Sequence, residues 1–434
     1  MPPRSKRKST NTTSPNSSPG NSEASNATMI PESPPTKQPK GGIQWSYHVK
    51  LLGGKDKGLQ PLLFRRDPNS ANSPVIYGFD IDDTIITPKS GAKFAKSASD
   101  WKFLLPSVPE TLKKLHEQKI GVKLVFFTNQ AGIEKGNTSP QTLMNKFDDV
   151  IRELNLPINV YISTGNSHFR KPSCEMWSFM AANHNGGLQP DLSKCVFVGD
   201  AAGRAKEWKP GAKKDFSCSD RQFAANIGCQ FHTPESFFLK EEGGETKFDW
   251  GSFDPRSAKE LFKTHYEKQY HKLTPELVVL CGPPASGKST FFRRFFLPHP
   301  HYTHVNRDTL LTEAKCLKAA EEAFKEGKSV VVDNTNPSVD SRAQSVAIAK
   351  KHGVPARCFI MDTPVSVARH LNFVRQIDTE GEVRRVPDVA YNIYKSKFTE
   401  PELKEGFEEI VKVPFYPMFD EFANEKLFSQ WTEG

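Results

Sequence analysis

The chain has 434 residues, a length that indicates two or three domains, because single hydrophobic cores rarely grow beyond about 250–300 residues. Its 25% of charged residues are typical of a globular chain, and its net charge of +9 either indicates an anionic partner such as nucleic acid or serves solubility alone. The seven scattered cysteines form no CxxC pair, which argues against a zinc site. The N-terminus has no apolar core that could serve as a signal peptide, and no apolar run reaches about 18 residues, so neither secretion nor a membrane span is expected.

Residues 1–42 are rich in Ser, Thr, Asn and Pro and contain few large apolar residues. Such a segment cannot bury enough apolar surface to offset its chain entropy, so it is predicted to be a disordered basic tail. Arg4, Lys6, Arg7 and Lys8 form a short basic cluster of the kind that acts as a nuclear import signal or a weak phosphate-binding tail. We therefore expect a nuclear protein, with a solvated tail that carries no address as the alternative.

Residues 43–240 show short apolar runs that alternate with segments of helical spacing. The predicted strands are Val75 to Phe79, Val122 to Phe127 and Cys195 to Val198. The predicted helices between them include Thr111 to Gln118 and Leu143 to Leu154. This alternation is typical of βαβ units and predicts a doubly wound parallel sheet that is covered on both faces.

A second alternation of strands and helices occupies residues 275–434, after a charged linker predicted at 241–274. Its predicted strands and helices are Leu277 to Cys281, Lys288 to Phe296, Glu313 to Lys325 and Ser329 to Val332. Gly327 is predicted to be the C-cap of the third of these segments. The second domain is therefore predicted to be a parallel α/β domain as well.

Three carboxylates directly follow the first predicted strand, in the segment Gly78 to Thr84. The alternation of side chains along a strand predicts that Asp80 and Asp82 point to the same side, where one divalent cation could meet both. A carboxylate can also attack phosphorus, and a neighbouring carboxylate can transfer the proton. The residues thus indicate a metal-dependent phosphoryl-transfer site.

The segment FDIDDT and the motifs that follow it resemble those of haloacid dehalogenase-type phosphatases. The resemblance implies that Asp80 is the nucleophile and Asp82 the acid/base, and that Mg²⁺ is bound by Asp80, Asp82 and Asp200. It also implies that the hydroxyl of Thr128 binds phosphoryl oxygens, and that Lys171 offsets the charge of the pentavalent intermediate.

This chain departs from the phosphatase pattern at two points. Asp83 stands where relatives commonly have glycine, which leaves the nucleophile intact but bears on the local turn. The fourth motif, which ends at Asp200, is not followed closely by a second acid. Asp215 and Asp220 are both candidates for that position, and the sequence does not choose between them.

A phosphate-binding loop of the form GxxxxGK[ST] follows the strand that ends at Cys281 and precedes a predicted helix, which is the context that this motif requires. Its glycines allow backbone N–H groups to surround phosphates, and the helix N-terminus adds partial positive charge. Lys288 is expected to reach the β/γ-phosphates of ATP, and Ser289 to ligate Mg²⁺. The predicted nucleotide-binding residues are Gly282, Pro283, Pro284, Ala285, Ser286, Gly287, Lys288, Ser289 and Thr290.

Two further features favour a kinase over a motor ATPase. Asp308 lies where it could accept the proton of an acceptor hydroxyl, although an N-cap is the structural alternative. The stretch from Arg369 to Arg375 is basic and could close as a lid over the phosphates, although solvated arginines are common. These features resemble the 5′-kinase half of polynucleotide kinases, with Phe373 where another arginine often lies.

The order of a phosphatase followed by a P-loop kinase resembles the eukaryotic polynucleotide kinase 3′-phosphatases, from about Gly78 nearly to the C-terminus. The resemblance implies a haloacid dehalogenase-like 3′-phosphatase domain at 43–240 and a P-loop 5′-kinase domain at 275–434. It further implies a monomeric DNA-repair enzyme that uses Mg²⁺ and ATP to convert 3′-phosphate and 5′-hydroxyl ends into ligatable ends.

Residues 1–42 are too short and too polar for the phosphopeptide-binding domain that animal members of this family carry, so recruitment through phosphorylated scaffold proteins is not expected. The alternatives to DNA repair are an enzyme that heals RNA ends, a small-metabolite phosphatase/kinase and a protein that binds DNA breaks without catalysis. The intact set of motif residues argues against loss of catalysis.

Overall fold

The strand and helix bounds come from a computed structural model of the protein, which describes residues 44–48, 61–118, 121–241, 248–251, 253–265, 269–419 and 422–432. Residues Gly42–Gly434 form one compact unit. The predicted tail at 1–42, with its basic cluster, lies outside the described residues. Within the described residues, no helix combines the length and apolar character that a membrane span needs.

The first half of the described chain is built on a seven-stranded sheet with the order β1-β2-β7-β6-β3-β8-β9. The strands of this half, including the small hairpin β4–β5, are β1 Gln44–His48, β2 Leu62–Arg66, β3 Ile76–Phe79, β4 Ile86–Thr87, β5 Lys102–Phe103, β6 Lys123–Asn129, β7 Asn159–Ser163, β8 Val196–Val198 and β9 Gln230–His232. Strands β7, β6, β3, β8 and β9 are parallel, whereas β2 and β1 extend the sheet in antiparallel pairing. The predicted parallel sheet is therefore confirmed, with an antiparallel edge.

Helices cover both faces of this sheet, because successive strand residues point to opposite sides. These helices are α1 Ser107–Glu117, α2 Pro140–Leu154, α3 Glu175–Asn183 and α4 Ser219–Ile227. Phe126 packs in a core with residues of α1 and α2. The next residue, Phe127, packs in a second core with residues of α3 and α4.

The second half is built on a five-stranded, fully parallel sheet with the order β11-β12-β10-β13-β14. Its strands are β10 Leu277–Cys281, β11 Tyr302–Val305, β12 Ser329–Asp333, β13 Ala356–Asp362 and β14 Glu409–Pro414. The helices of this half, and α5 that precedes it, are α5 Ala258–Leu261, α6 Lys288–Phe295, α7 Arg307–Leu310, α8 Glu313–Lys325, α9 Val339–Lys351, α10 Val365–Asp378, α11 Asp388–Lys397 and α12 Phe422–Phe428. Residues of α8 and α9 pack on one face of the sheet and those of α6 on the other.

The predicted fold class, a doubly wound parallel sheet followed by a second parallel α/β domain, is confirmed by these two sheets. The predicted strands and helices agree with the observed ones within a few residues. One detail differs at the end of α8. The C-cap is Glu326, and Gly327 is the residue after it, with φ of +71°. A left-handed backbone carries no steric penalty in glycine, which explains why it lies there.

Residues near the predicted linker and the C-terminus connect the two halves through defined contacts. The ring of Trp431 stacks on Trp250 at 4.4 Å, and the Asn226 side chain exchanges hydrogen bonds with the backbone of Trp431. Elsewhere, Gln376 of α10 donates a hydrogen bond to the carbonyl of Asn166. The division of the chain at 241–274 stays a prediction, since the halves pack within one compact unit.

Candidate functional site

The first site lies where the carboxyl ends of three neighbouring parallel strands meet. Asp80 directly follows β3, Thr128 lies near the end of β6, and Asp200 follows β8 by one glycine. Because β3 pairs with both β6 and β8, these side chains reach one edge of the sheet. The backbone fixes this edge further, since the N–H of Asp80 donates to the carbonyl of Val198 at 2.9 Å.

Three carboxylates converge at this edge around one buried lysine. Oxygen atoms of Asp80, Asp200 and Asp220 lie within 4.8 Å of one another. Lys171, whose side chain is 2% exposed, places its Nζ 2.6 Å from Asp80 Oδ1 and 2.7 Å from Asp220 Oδ1. One ammonium group against three carboxylates leaves the cluster with an excess of negative charge, which is the environment that a divalent cation requires.

The crowding of charges changes the proton affinity of the cluster. Burial raises the pKa of Asp80 to about 7, although Lys171 opposes this shift and Asp220 adds to it. Burial and the charge of Asp220 also raise the pKa of Asp200 well above its usual value. Burial alone would lower the pKa of Lys171, but Asp220 and Asp80 together raise it above the ordinary value.

The structure distinguishes the two acids that the sequence left open. Asp220 begins the first turn of α4, accepts a hydrogen bond from the Ala201 N–H and belongs to the carboxylate cluster. A Cβ atom at Gly199 would lie 2.4 Å from Asp220 Oδ2, so only glycine allows this close approach. Asp215 instead accepts from the backbone and the guanidinium group of Arg204. Asp220 is therefore the second acid beside Asp200.

The carboxylate of Asp82 lies outside this cluster, contrary to the expectation that it would share a cation with Asp80. Its two oxygens accept from Lys146 Nζ at 2.8 Å and from Gln130 Nε2 at 2.6 Å. The alternation of a strand does not extend to this position because β3 ends at Phe79 and the chain then turns, with the N–H groups of residues 85 and 86 bonded to the carbonyl of Ile81.

Asn129 and Gln130, at the end of β6, hold other residues of the site in place through hydrogen bonds. The Asn129 amide exchanges two hydrogen bonds with the Lys171 backbone, at 2.9 and 3.1 Å. This pair fixes the loop that carries the lysine. Gln130 also donates to the hydroxyl of Thr128 at 3.0 Å, so Thr128 is buried beside Asp82.

Asp83 adopts a left-handed backbone with φ of +54°. Glycine adopts this conformation without steric penalty, and Asp is among the residues that tolerate it. The Asp83 carboxylate accepts from the Thr87 hydroxyl at 2.9 Å, which holds the turn. The departure from glycine therefore keeps the turn that the motif requires.

Two exposed aromatic rings lie close to one lysine, in loops of the first half that no sequence motif marked. Phe94 is 75% exposed in the loop after β4, and Phe216 is 92% exposed in the loop that leads to Asp220. The ammonium of Lys93 lies 5.5 Å from the first ring centroid and 5.4 Å from the second. The sequence signal for them was available, since both phenylalanines lie in segments rich in lysine.

The second site is built on the turn from β10 to α6. Gly287 has φ of +92° and the non-glycine Ala285 has φ of +56°, so this turn has an unusual backbone. Lys288 folds back over the loop, and its Nζ donates to the carbonyls of Gly282 and Pro283 at 3.0 and 2.7 Å. Burial lowers the pKa of Lys288 to about 8, against the opposing charge of Asp333.

Asp333 is a further residue of this site, to which the sequence motifs assigned no role. It ends β12 beside the P-loop strand and is buried, with Oδ2 3.0 Å from His304 Nε2. Burial alone would raise its pKa, but hydrogen bonds from His304 and Ser289 hold that pKa below its ordinary value. An acid at the carboxyl end of a parallel strand was the signal that identified Asp80, and it applies here equally.

Asp308 lies in the short helix α7. Asn306 caps that helix, since its side-chain oxygen accepts from the N–H of Asp308 at 2.7 Å, and its amide donates to the carbonyl of Asp333. Asp308 is thus not the N-cap residue, which removes the structural alternative for it. The backbone N–H of the neighbouring Arg307 donates a hydrogen bond to the side-chain oxygen of Asn334.

A cleft of about 970 Å³ joins these residues, and the P-loop residues Pro284 to Thr290, with Asp308, Asp333 and Arg375, are among those that line it. Of the two predicted lid arginines, only Arg375 is among the described residues of this lining. Both arginines belong to the regular helix α10.

The other lid arginine, Arg369, points to α11 instead. Its Nε lies 3.3 Å from Asp388 Oδ1, and its guanidinium group lies over the ring of Tyr391. Phe373 is buried, and its ring is covered by the guanidinium group of Arg385. Phe373 is therefore a packing residue here.

Comparison with protein families gives two matches, one that contains the first site and one that contains part of the second. A family model described as "Polynucleotide kinase 3 phosphatase" matches residues 75–238. A second, described as "AAA domain", matches residues 311–401. The first range contains the carboxylate cluster and its lysine, and the second contains Asp333 and α10.

Individual relatives differ in how much of the chain they match. The chain is 36% identical over 400 residues to the "Bifunctional polynucleotide phosphatase/kinase" of Schizosaccharomyces pombe, which covers 91% of this chain and 90% of that protein. It is 32% identical over 212 residues to "Polynucleotide 3'-phosphatase ZDP" of Arabidopsis thaliana, with 45% and 29% covered. It is 27% identical over 215 residues to the "Polynucleotide 3'-phosphatase" of Saccharomyces cerevisiae, with 38% and 87% covered.

Proposed function

This chain belongs to the family of bifunctional polynucleotide phosphatase/kinases, and we propose on that basis that it prepares broken DNA ends for ligation. The first half removes a 3′-phosphate and the second transfers a phosphoryl group from ATP to a 5′-hydroxyl. Ligases require a 5′-phosphate and a 3′-hydroxyl, so the two reactions complement each other in the repair of strand breaks.

The phosphatase reaction proceeds in two balanced steps. An oxygen of Asp80 attacks phosphorus, the bond from phosphorus to the 3′-oxygen breaks, and Asp82 gives its proton to that oxygen. Water then attacks the aspartyl-phosphate, Asp82 takes a proton from the water, and the bond from Asp80 to phosphorus breaks. The ammonium group of Lys171 contacts Asp80 and therefore lies close enough to stabilise the negative charge of the phosphoryl group. The Thr128 hydroxyl donates to a phosphoryl oxygen.

The carboxylates of Asp80, Asp200 and Asp220 fit a divalent cation, because their oxygens lie close together and exceed the charge of Lys171. We assign this site to Mg²⁺, which supplies positive charge to the phosphoryl oxygens when it is bound. In the second half, Ser289 is hydrogen-bonded to Asp333, and the oxygens of these two side chains are the candidate ligands for a second Mg²⁺ beside the P-loop.

In the kinase reaction, the oxygen of the 5′-hydroxyl attacks the γ-phosphorus of ATP while Asp308 accepts the proton of that hydroxyl. The bond between the γ-phosphorus and the oxygen that bridges to the β-phosphate then breaks. Lys288 and the N-terminus of α6 hold the phosphates. Arg375 lies in the cleft wall, where its guanidinium group stabilises the charge that develops on the transferred group. Arg369 acts only through its packing on α11.

The observation that carries a polynucleotide substrate is the pair of exposed rings with a lysine between them. Phe94 and Phe216 offer faces on which unpaired bases stack, and Lys93 adds a cation for the backbone phosphates. A small-metabolite phosphatase would gain nothing from two large apolar rings in water. This surface therefore favours a single-stranded 3′ end over a free sugar phosphate.

One assay tests both reactions and the choice of substrate. Matched DNA and RNA nicks that carry a 3′-phosphate and a 5′-hydroxyl are incubated with Mg²⁺ and ATP, and both ends are followed. We expect Asp80→Ala to lose only the 3′ reaction and Lys288→Ala only the 5′ reaction. Loss of both reactions in either variant would contradict independent sites, and faster turnover of RNA would support the RNA-healing alternative. Preference for glycerol phosphate over DNA would remove the nucleic-acid assignment.

The basic residues of the N-terminal segment support a nuclear location. A fluorescent protein fused to residues 1–42 tests this directly in cells. Nuclear accumulation that is lost when Lys6, Arg7 and Lys8 are replaced by alanine is the expected result. Uniform distribution of the unchanged fusion would contradict it.

A further inference from the structure

A buried lysine, Lys146, forms an ion pair with Asp82, the acid/base of the phosphatase half. The side chain of Asp82 is 42% exposed, whereas that of Lys146 is only 7% exposed, and their ion pair measures 2.8 Å. Lys146 lies on the face of α2 that also buries Leu143, Phe147 and Val150 in the core. A lysine on a core-facing helix surface is costly unless its ammonium meets a partner, and here that partner is a reacting carboxylate.

Gln130 holds the other oxygen of the same carboxylate. Its amide nitrogen donates to Asp82 Oδ2 at 2.6 Å and to the Thr128 hydroxyl at 3.0 Å. One amide thereby joins the acid/base to the hydroxyl that faces the phosphoryl group. Both donors come from elements of the sheet and its covering helix, namely the end of β6 and α2, rather than from the turn that carries Asp82.

Backbone hydrogen bonds hold the turn, but the two donors to the Asp82 side chain come from outside it. The strand ends at Phe79, and the side chain of Asp82 projects from a turn into a partly open space. Without external contacts a short side chain in such a place samples several rotamers. A proton donor is effective only when its oxygen stays within hydrogen-bond reach of the atom that receives the proton. The two contacts supply that restriction.

We propose that Lys146 and Gln130 are positioning residues that fix the Asp82 carboxyl group toward the oxygen that leaves phosphorus, an inference that rests on the proposed 3′-phosphatase function. The contacts described for them are with Asp82 and Thr128, not with the cluster of Asp80, Asp200 and Asp220. In the first step, the protonated Asp82 carboxyl group gives its proton to the 3′-oxygen as the phosphorus–oxygen bond breaks, and Lys146 and Gln130 hold the carboxylate that this transfer leaves. In the second step it accepts a proton from the attacking water.

This role predicts a dependence on the leaving group. The sugar 3′-oxygen is a poor leaving group and needs the proton from Asp82, whereas nitrophenolate leaves as a stable anion without one. Loss of Lys146 should therefore slow the first step on a nucleoside 3′-phosphate but not on 4-nitrophenyl phosphate. The second step needs Asp82 in both cases, so the aspartyl-phosphate should accumulate with the aryl substrate.

The experiment compares Lys146→Met with the unchanged full-length protein and with Lys123→Met. Lys123 is a matched control, because it is also a buried lysine of the first half and its Nζ contacts the carbonyl of Ala71, far along the strand from the site. Rapid-mixing single-turnover rates are measured on thymidine 3′-phosphate and on 4-nitrophenyl phosphate. The 5′-kinase rate of each protein reports that the chain is folded.

For Lys146→Met we expect the first step on thymidine 3′-phosphate to fall about 10- to 100-fold, part of the full effect of a general acid. The first step on 4-nitrophenyl phosphate should stay within about 3-fold, with a burst of one nitrophenolate per enzyme. Lys146→Arg should recover most of the lost rate, and Gln130→Leu should show the same pattern more weakly. Lys123→Met should match the unchanged protein on both substrates.

An equal loss on both substrates in Lys146→Met, or no loss on either, would overturn the proposal. The same holds if Lys123→Met shows the same loss on the sugar phosphate alone. Failure of the unchanged protein to hydrolyse thymidine 3′-phosphate and a 3′-phosphorylated oligonucleotide would instead contradict the proposed function. The two failures are therefore distinguishable.

Discussion

Lys171 is the residue on which the charge balance of the phosphatase half depends. Its ammonium is buried between Asp80 and Asp220, and Asp200 lies within the same cluster. Breaking a buried ion pair by removing one partner leaves unpaired charge in a dry environment, which is costly. The cluster therefore serves stability and chemistry through the same atoms.

Lys171→Met should lower the free energy of unfolding by about 3 kcal/mol in the absence of divalent cations, because three carboxylates then repel one another without compensation. Mg²⁺ should restore part of this loss, since a cation that binds only the folded state stabilises it. Urea denaturation with EDTA and with Mg²⁺ measures both effects. Equal stability of the variant and the unchanged protein in EDTA would show that the carboxylates are neutral without the lysine.

Asp83 allows a test of the left-handed turn. Asp83→Gly should change the free energy of unfolding by less than about 1 kcal/mol and keep the 3′-phosphatase, because glycine accepts φ of +54°. Asp83→Val should cost about 1–2 kcal/mol and slow the phosphatase, since a β-branched residue is strained there and its neighbour is Asp82. Chemical denaturation and phosphatase rates of both variants give the answer. Similar behaviour of the two would contradict the backbone argument.

At the residue scale, the sequence predicted those site residues whose position a motif fixes relative to a strand end. Asp80, Thr128 and Asp200 lie at adjacent strand ends, as their patterns indicate. It could not choose Asp220 over Asp215, because that depends on which side of a loop faces the cluster. Nor could it place the Asp82 side chain, because β3 ends before it and local periodicity then carries no information.

At the scale of elements, the basic composition of helix α10 does not predict where its individual arginine side chains point. The arginines in this segment predict a basic lid, which stays a prediction; the segment is a regular helix, with His370 and Phe373 buried. Helical period turns Arg375 to the cleft and Arg369 to α11. The strand and helix bounds were predicted well because their apolar periodicity is strong. The antiparallel strands β1 and β2 were not predicted, since their pairing is set by distant residues.

The packing of α10 makes stability depend on pH. Burial lowers the pKa of His370 from 6.5 to about 4, between the rings of Phe253 and Phe428. The folded chain keeps it neutral, whereas the unfolded chain binds a proton below pH 6.5. Its stabilising contribution is thus present above pH 6.5 and is lost as the pH falls toward 4.

Replacing His370 with Gln should reduce the difference in unfolding free energy between about pH 7.5 and pH 5 by on the order of 2 kcal/mol. Urea denaturation of both proteins at the two pH values measures this difference, from which any constant cost of the substitution cancels. His184, whose pKa burial lowers to about 3, keeps its own contribution in both proteins. An unchanged difference would show that His370 titrates alike in both states.

At the scale of the whole molecule, the C-terminus of the kinase half stabilises the phosphatase half. Trp431 is buried, stacks on Trp250 and pairs its backbone with Asn226 of α4, the helix whose first turn holds Asp220. These contacts could not be predicted from sequence, because they join residues about 200 positions apart and follow no periodic pattern. Two domains that are separate in sequence thus share a packed boundary.

Trp431→Ala should lower the free energy of unfolding by about 3–5 kcal/mol, the usual cost of removing a buried tryptophan side chain. It should also shorten the half-life of the 3′-phosphatase on heating, although the residue lies in the other half of the sequence. Heat-inactivation curves of both activities measure this effect. Phe398→Ala, at a partly exposed ring of the same half, is the control, and an unchanged phosphatase half-life in Trp431→Ala would contradict a shared boundary.

The close approach of Gly199 to Asp220 has a consequence for how such an enzyme can vary. Any side chain at position 199 would overlap the carboxylate, and no single substitution relieves the overlap while the acid stays. A library that encodes every amino acid at this position should therefore return glycine alone among clones with phosphatase activity. The acid at position 220 therefore requires the absence of a side chain at position 199, and a side chain can appear there only where the acid has been lost or moved.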